Sequence, residues 1–121
     1  MTEKEIKRKN RIMKTLKRAV NSNCLKESPF TTNETITKYS AMLFNKETWE
    51  NAGKLYITVD NFGIRLETGG ASAYFGYHDM GDDTMMDFWQ DCDGYYRLSL
   101  ESKPGDAFTR YIVTYTFGKP Q

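Results

Sequence analysis

Hydrophobic residues recur at helical spacing near the start of the chain. At 100° per residue they fall within an arc of about 140°, and most basic residues occupy the other side. The apolar positions are Ile6, Ile12, Met13, Leu16, Ala19 and Val20. Thr2 followed three residues later by Glu5 is a capping-box pattern, and the polar run 21–23 favours an end to the helix. The pattern predicts an amphipathic helix over residues 3–20.

The pattern in the next segment is ambiguous, and two interpretations stay open. Ser28-Pro29 and the Thr-rich residues after it are typical of a loop. Asn33 would then cap a second helix with Ile36, Tyr39, Met42 and Leu43 on one face, whereas the frequent Thr and Tyr over 36–44 favour a strand. Asn45 as a cap and Gly53 as a stop indicate a helix over 45–51. We expect helical structure in this region.

From Lys54 onward the hydrophobic period changes to two, which predicts β-strands. Leu55, Ile57 and Val59 alternate with polar or aromatic neighbours. Further alternating runs lie over 64–67, 71–77, 96–101 and 108–117, with turn residues at 60–63, 69–70, 93–94 and 103–106. Such short turns between strands imply antiparallel pairing.

The predicted fold class is therefore α+β, with an N-terminal amphipathic helix and a second short helix packed on an antiparallel meander of five or six strands. A chain of 121 residues has the length of a single domain. Within it we expect a basic helix over 1–26, a helix and loop region over 27–53, and the sheet over 54–121.

Composition excludes several classes of protein. Two cysteines and one histidine are too few for a closed zinc site or a disulfide framework, so we expect neither metal nor cofactor. The longest apolar run, 41–44, is far shorter than the roughly 20 residues of a membrane span. The basic start is not followed by the apolar segment of a secretory signal peptide, so we do not interpret it as one. The many aromatic residues argue against disorder. We expect a cytoplasmic protein.

The formal net charge of +1 is a cancellation between two opposed parts of the chain. Residues 1–26 carry nine basic and two acidic side chains, a net charge of +7. The other 95 residues carry eight basic and 14 acidic side chains, a net charge of −6. Between Arg65 and Arg97 there are seven acidic residues and no Lys or Arg over 31 positions. Asymmetry of this kind points to interaction partners rather than to a fold.

The acidic segment is also rich in aromatic residues, and it is the first candidate for a binding surface. Carboxylates beside aromatic rings suit a basic partner, whose Arg and Lys side chains pair with the acids and stack on the rings. If residues 86–93 are extended, Asp91 and Asp93 point to one face roughly 6.6 Å apart with Asp87 on the same side, and such a row of charges can imitate a nucleic acid backbone. The candidate residues are Asp79, Asp82, Asp83, Asp87, Asp91, Asp93, Trp89, Tyr74 and Tyr95.

These residues lead to the hypothesis of a non-enzymatic inhibitor that occludes the basic groove of a nucleic-acid-binding protein or complex. Small, motif-poor proteins with polarised charge are common among phage-encoded inhibitors of host defence, such as anti-CRISPR and anti-restriction proteins. The chain is similar to them in this layout alone, since no residue motif carries the similarity. A solvated acidic loop is the competing interpretation.

The basic helix supports an alternative hypothesis, a nucleic-acid-binding accessory module. Its candidate residues are Lys7, Arg8, Arg11, Lys14 and Arg18, which would contact phosphates. A solvated outer face, an acidic protein partner and head-to-tail pairing of two copies are other interpretations, so a homodimer stays open. A membrane surface is disfavoured because the apolar face lacks Trp, Phe and several Leu.

Catalytic and metal-binding chemistry have little support in the sequence. His78 beside Asp79 would need Cys24 or Cys92 within hydrogen-bond reach to form a nucleophile and base pair. Residues 91–94 match only a fragment of a calcium-binding loop. We expect no enzymatic activity.

Overall fold

One α-helix and eight β-strands make up the described part of the chain. The computed structural model describes residues 1–28, 36–81, 83–102 and 111–118. In chain order the elements are α1 (Glu3–Asn21), β1 (Lys26–Glu27), β2 (Thr37–Asn45), β3 (Glu50–Val59), β4 (Gly63–Thr68), β5 (Ala71–Gly76), β6 (Met85–Gln90), β7 (Tyr96–Ser102) and β8 (Tyr111–Thr116). The fold class is α+β with a majority of strands, and the predicted class is confirmed at that level.

Helix α1 confirms the predicted N-terminal helix. The Thr2 side chain accepts a hydrogen bond from the backbone N–H of Glu5 at 3.2 Å and so satisfies one of the free donors of the first turn. The helix ends where Asn23 adopts a left-handed φ of 62° and donates to the Val20 carbonyl. Its inward face is the predicted apolar one apart from Ile6, which is 44% exposed, and Leu16 and Ala19 are fully buried.

The first sheet contains five antiparallel strands in the order β1-β2-β3-β4-β5. Buried residues alternate with less buried ones along β2 and along β3 from Leu55 onward, and cross-strand pairs such as Ile57 with Leu66 fix the register. The β3–β4 turn is held by Asp60, whose Oδ1 accepts hydrogen bonds from the N–H groups of Phe62 and Gly63 at 2.8 and 2.9 Å. The predicted antiparallel meander is therefore present in this sheet.

The second sheet contains three antiparallel strands in the order β6-β7-β8. It joins the first sheet at one end, where Leu43 and Phe117 form an isolated bridge and the Gly118 N–H donates to the Met42 carbonyl at 2.9 Å. One core cluster includes residues of α1 and of both sheets, among them the fully buried Leu16, Leu55 and Phe117. The core therefore lies between the two sheets and the inward face of α1.

Helix α1 lies along the edge of β6 that does not pair with β7. Thr15 Oγ1 and Arg18 Nη2 donate to the backbone carbonyls of Met86 and Phe88, at 3.5 and 3.2 Å. An exposed strand edge can pair with another chain, and a helix laid along it blocks that pairing. The basic helix is thus packed directly against the acidic half of the sequence.

The predicted second helix is wrong, because residues 37–45 form β2. The apolar set Ile36, Tyr39, Met42 and Leu43 fits helical spacing, but the buried residues of β2 are Tyr39, Ala41 and Leu43, which follow a period of two. Met42 points outward and is 44% exposed. Pairing with β3 on one side and β1 on the other decides between the two patterns. Asn33, the proposed cap, lies outside the described residues.

The helix predicted over 45–51 is also wrong, although its cap signal is real. Asn45 Oδ1 accepts hydrogen bonds from the N–H groups of Glu47 and Thr48, and the Trp49 N–H donates to the Asn45 carbonyl at 2.8 Å. These bonds close a single turn, after which Glu50 begins β3. The sheet count is corrected too, from one sheet of five or six strands to two sheets with eight strands in the described chain. Part of the strand predicted over 108–117 lies outside the described residues.

Candidate functional site

Three of the five basic residues predicted to bind nucleic acid lie on the outward face of α1. Lys7, Arg11 and Lys14 are exposed, and their spacing of four and three residues places them on one side of the helix. Lys4 precedes them at the same spacing and is exposed as well. We call these four residues the basic stripe. Sequence reasoning missed Lys4, although its spacing of three before Lys7 was visible.

The other two predicted basic residues anchor the helix instead. Arg8 is half-buried and donates from Nη1 to the Tyr77 carbonyl at 2.6 Å. Arg18 donates to the Phe88 carbonyl, and its guanidinium lies 5.8 Å from the centre of the Phe88 ring. These bonds fix α1 at both ends against the β5–β6 connection and β6. They also fix the direction in which the basic stripe faces.

The basic stripe has no charged partner within the described chain. Over residues 1–28, 36–81, 83–102 and 111–118, the side chains of Lys4, Lys7, Arg11 and Lys14 form no ion pair and no hydrogen bond. Four like charges on about three turns repel one another. The repulsion is relieved when a polyanion binds, so this surface is suited to one.

Asp91 lies at the centre of a charged cluster at the β6–β7 hairpin rather than on an open acidic surface. Its Oδ1 accepts hydrogen bonds from the N–H groups of Asp93 and Tyr95, both at 3.0 Å. Its Oδ2 lies 3.0 Å from Lys46 Nζ and 3.2 Å from Arg97 Nε. Lys46 Nζ also donates to Asp93. Two of the predicted partner-binding acids are therefore already neutralised within the chain.

The electrostatics of this cluster follow from those contacts. The hydrogen bond from Lys46 holds the pKa of the Asp91 carboxyl below its ordinary value, and the backbone donors of Tyr95 and Asp93 act in the same direction. Hydrogen bonds to Asp93 and Asp91 raise the pKa of the Lys46 ammonium. Both groups are charged at neutral pH, so the cluster joins the β2–β3 loop to the β6–β7 hairpin.

The remaining acidic candidates lie at separate places around β6. Asp79 and Asp83 are exposed in the β5–β6 connection, and Asp87 is exposed in the middle of β6. Asp82 lies outside the described residues. The extended conformation expected for 86–93 ends at Gln90, so Asp91 and Asp93 do not continue the row begun by Asp87. The sequence prediction of one row of aspartates is wrong because the chain turns at Asp91.

The three aromatic candidates also separate. Trp89 is 37% exposed on the outward face of β6, and Tyr74 is 48% exposed on β5 in the other sheet. Tyr95 is buried and stacks on Phe44, with ring centroids 4.6 Å apart and planes 8° from parallel. Tyr95 therefore packs the hairpin loops together and presents no ring to a partner.

Trp49 is an exposed aromatic residue that sequence reasoning did not single out. It has a left-handed φ of 59° and is 65% exposed, and its ring meets the rings of Phe44 and Tyr95 edge-on at 6.0 and 6.3 Å. A positive φ is rare for a bulky residue. The helix predicted over 45–51 concealed this position, because it placed Trp49 inside a regular helix.

The cysteine and histidine candidates do not come together. His78 lies before β6 and Cys92 lies after it, and a six-residue strand separates its ends by roughly 17–20 Å. His78 is exposed and sits 3.8 Å from Glu5 Oε1. Cys24 is buried, and burial raises the pKa of its thiol to about 11, so that thiol is protonated at neutral pH.

Several grooves lie between elements of the described chain, and two of them are lined by a candidate cysteine or carboxylate. The larger, about 730 Å³, follows the end of α1 and β2 and is lined by Cys24, Met42 and Lys54. The smaller, about 410 Å³, separates β5 from β8 and has Asp79 as its one carboxylate in the described chain. Among the described residues, no three His, Cys, Asp or Glu side chains are grouped so that they could hold a metal ion.

In the described chain no helix has both the length and the apolar character needed to cross a membrane.

Comparison with known proteins assigns no family to this arrangement. No family model, curated protein or solved structure matches the chain.

Proposed function

We propose that the protein is a nucleic-acid-binding module that contacts phosphates through the basic stripe of α1. The observation that carries this proposal is that Lys4, Lys7, Arg11 and Lys14 have no counter-charge in the described chain while sharing one face of an anchored helix. Cations that neutralise phosphates release condensed counterions, which is the main source of sequence-independent affinity for nucleic acids.

The anchoring of α1 adds to this argument. The stripe extends from Lys4 to Lys14, which is about 15 Å of helix axis. Its direction is set by the hydrogen bonds of Arg8 and Arg18 to backbone carbonyls. A rigid row of cations loses little conformational entropy on binding beyond that of the side chains themselves. The proposal involves no catalytic step and no cofactor.

A gel shift with DNA and with RNA, at low and at moderate salt, tests the proposal. We expect a shift with both nucleic acids that weakens as salt rises, because the contacts are electrostatic. The variant Arg11→Glu/Lys14→Glu should lose at least tenfold in affinity, since it replaces two attractive charges by two repulsive ones.

The matched control is Arg11→Lys/Lys14→Arg, which keeps both charges and should bind within about twofold of the unchanged protein. Circular dichroism of each variant shows whether α1 is still formed. Unchanged binding by the double Glu variant would overturn the proposal, as would failure of the unchanged protein to shift DNA or RNA at low salt.

A second candidate function is occlusion of a basic groove on a nucleic-acid-binding protein or complex. The observation that favours it is the outward face of β6, where Met85, Asp87 and Trp89 alternate with buried residues and remain exposed. An acid flanked by large apolar side chains suits a partner rich in Arg. This surface is smaller than the acidic segment suggested, because Asp91, Asp93 and Tyr95 are engaged elsewhere.

Reversal of Asp82, Asp83 and Asp87 to Lys tests this second function. A tagged unchanged protein would retain a nucleic-acid-binding protein from lysate after nuclease treatment, and the triple variant would not. Equal capture by both proteins would contradict the acidic surface, and loss of capture on nuclease treatment alone would favour the basic stripe. Such an inhibitor would act in the manner of the anti-CRISPR and anti-restriction class.

A further inference from the structure

The outward face of the five-stranded sheet is a second exposed surface, distinct from α1. Alternation along β2, β3 and β5 places Met42, Tyr56 and Tyr74 on this face, where they are 44%, 51% and 48% exposed. Single exposed apolar side chains are normal on a protein surface, whereas several of them on one face point to an interaction site. Because these three side chains share one face, the face is a candidate ligand-binding surface.

The same face is positively charged. Cross-strand register aligns Lys26 with Ser40 and Tyr56, and it aligns Lys38 with Thr58, Arg65 and Tyr74. Among the paired residues of this face, four basic side chains, Lys26, Lys38, Lys54 and Arg65, stand against one acidic side chain, Glu67. Burial raises the pKa of the Tyr74 hydroxyl, and the nearby carboxylates of Asp60 and Asp79 act in the same direction, so the positive charge lies mainly toward β1, β2 and β3. Among the described residues, no ion pair engages the three lysines. The face is therefore suited to an anionic ligand.

Tyr74 is held with its ring across the sheet. The Tyr74 hydroxyl and its Cζ occupy the space that a side chain at position 63 would need. A Cβ built on Gly63 would lie 2.8 Å from the hydroxyl oxygen and 2.9 Å from Cζ. The Arg65 guanidinium lies 5.2 Å from the centre of the ring, and Arg65 also bonds to Ser72 Oγ at 3.3 Å. Gly63 thus makes room for a ring that keeps about half of its surface exposed.

We propose that this sheet face binds single-stranded nucleic acid, with bases stacked on Tyr56 and Tyr74 and phosphates contacted by Lys26, Lys38 and Lys54. Aromatic rings on a basic sheet are a recurrent way to bind unpaired bases, whereas a duplex hides its base faces. From strand spacing and register, the two tyrosines lie roughly 12 Å apart. They would therefore stack two bases that are not adjacent in the strand.

Charge complementarity favours this occupant over a second copy of the chain. Two copies meeting through this face would bring Lys26, Lys38 and Lys54 of each copy together, which is unfavourable without counter-ions. An anionic membrane would accept the lysines, but the face lacks the Trp, Phe and Leu that insert into lipid. A single-stranded nucleic acid supplies both the negative charge, through its phosphates, and the flat rings, through its bases.

The inference does not depend on the basic stripe, which lies on α1 and contacts phosphates without reading base faces. Single-strand binding through the sheet face and duplex binding through α1 can therefore succeed or fail separately. A probe pair of a fluorescein-labelled 12-residue oligo(dT) and a 12-base-pair duplex distinguishes them.

The test is fluorescence anisotropy with Tyr56→Ala/Tyr74→Ala and with Tyr56→Phe/Tyr74→Phe. We expect the Ala variant to lose at least tenfold in affinity for oligo(dT) and to retain its affinity for the duplex, because stacking is lost and charge is not. The Phe variant keeps both rings and should bind oligo(dT) within about threefold of the unchanged protein. Arg11→Glu/Lys14→Glu should show the opposite pattern, with the larger loss on the duplex.

Three outcomes would overturn the inference. Unchanged oligo(dT) affinity of the Ala variant would exclude stacking, and an equal loss in the Phe variant would assign the effect to folding. An equal loss of heparin binding in the Ala variant would show that the rings serve a polyanion without bases. Absence of duplex binding in the unchanged protein would contradict the basic stripe alone.

Discussion

At the residue scale, Asp91 has a structural role that its sequence neighbours did not reveal. Its carboxylate accepts two backbone hydrogen bonds within the β6–β7 hairpin and pairs with Lys46 of the β2–β3 loop. The segment 91–94 predicted the hairpin correctly, because Gly94 has the positive φ that this loop requires. The same acid was expected on a binding surface, since Lys46 is 45 residues away and its approach depends on the tertiary fold.

We predict that Asp91→Asn lowers the midpoint of thermal unfolding at pH 7. The folded-state pKa of Asp91 is lowered, chiefly by Lys46, so its contribution is fully present above the ordinary value of about 3.9 and is lost as pH falls through the folded value. The destabilisation by Asp91→Asn should therefore shrink between pH 5 and pH 2. Differential scanning calorimetry over this range measures it.

Asp93→Asn is the matched control for this prediction. Asp93 has 52% of its side chain exposed and contacts Lys46 without accepting backbone bonds in the hairpin, so its replacement should have the smaller effect at pH 7. A deficit in Asp91→Asn that stayed constant from pH 7 to pH 2 would show that the charge of Asp91 does not stabilise the fold.

At the element scale, the sequence predicted an element well wherever one pattern acted alone. Helix α1 has a capping box, an apolar arc and a polar stop that agree with one another. Buried residues alternate with less buried ones along β7, along β3 from Leu55 onward and along β4 from Ile64 onward. Segment β2 carries two patterns at once, because Tyr39 and Leu43 fit both a helix and a strand. Pairing with β1 and β3 decides between the helical and the strand pattern, and the positions of those two strands cannot be inferred from the β2 segment alone.

We predict that Leu16→Ala destabilises the protein by about 2–5 kcal/mol, because it leaves a cavity where α1 meets the core. Leu16 is fully buried in the cluster that includes both sheets. Lys17→Ala changes an exposed neighbour on the same helix and should stay within about 0.5 kcal/mol. Urea titration of both variants measures the difference, and equal stabilities would show that α1 does not belong to the common core.

At the scale of the whole molecule, charge along the sequence does not translate into two separate charged surfaces. The basic helix packs along β6, which lies inside the acidic segment, and part of that segment is neutralised by Lys46 and Arg97. The positive sheet face draws Lys26, Lys38, Lys54 and Arg65 from four strands. No window of the sequence brings these four residues together, so this face could be found only once the register was known.

The central claim is that α1 binds nucleic acid through the four cations of the basic stripe, and the salt dependence of duplex affinity tests it most directly. If four phosphates are neutralised, the logarithm of the binding constant should fall with the logarithm of salt concentration with a slope of about −3 to −4. Arg11→Glu/Lys14→Glu should make the slope shallower by about two. A slope that is equal in the double variant and the unchanged protein would contradict the claim.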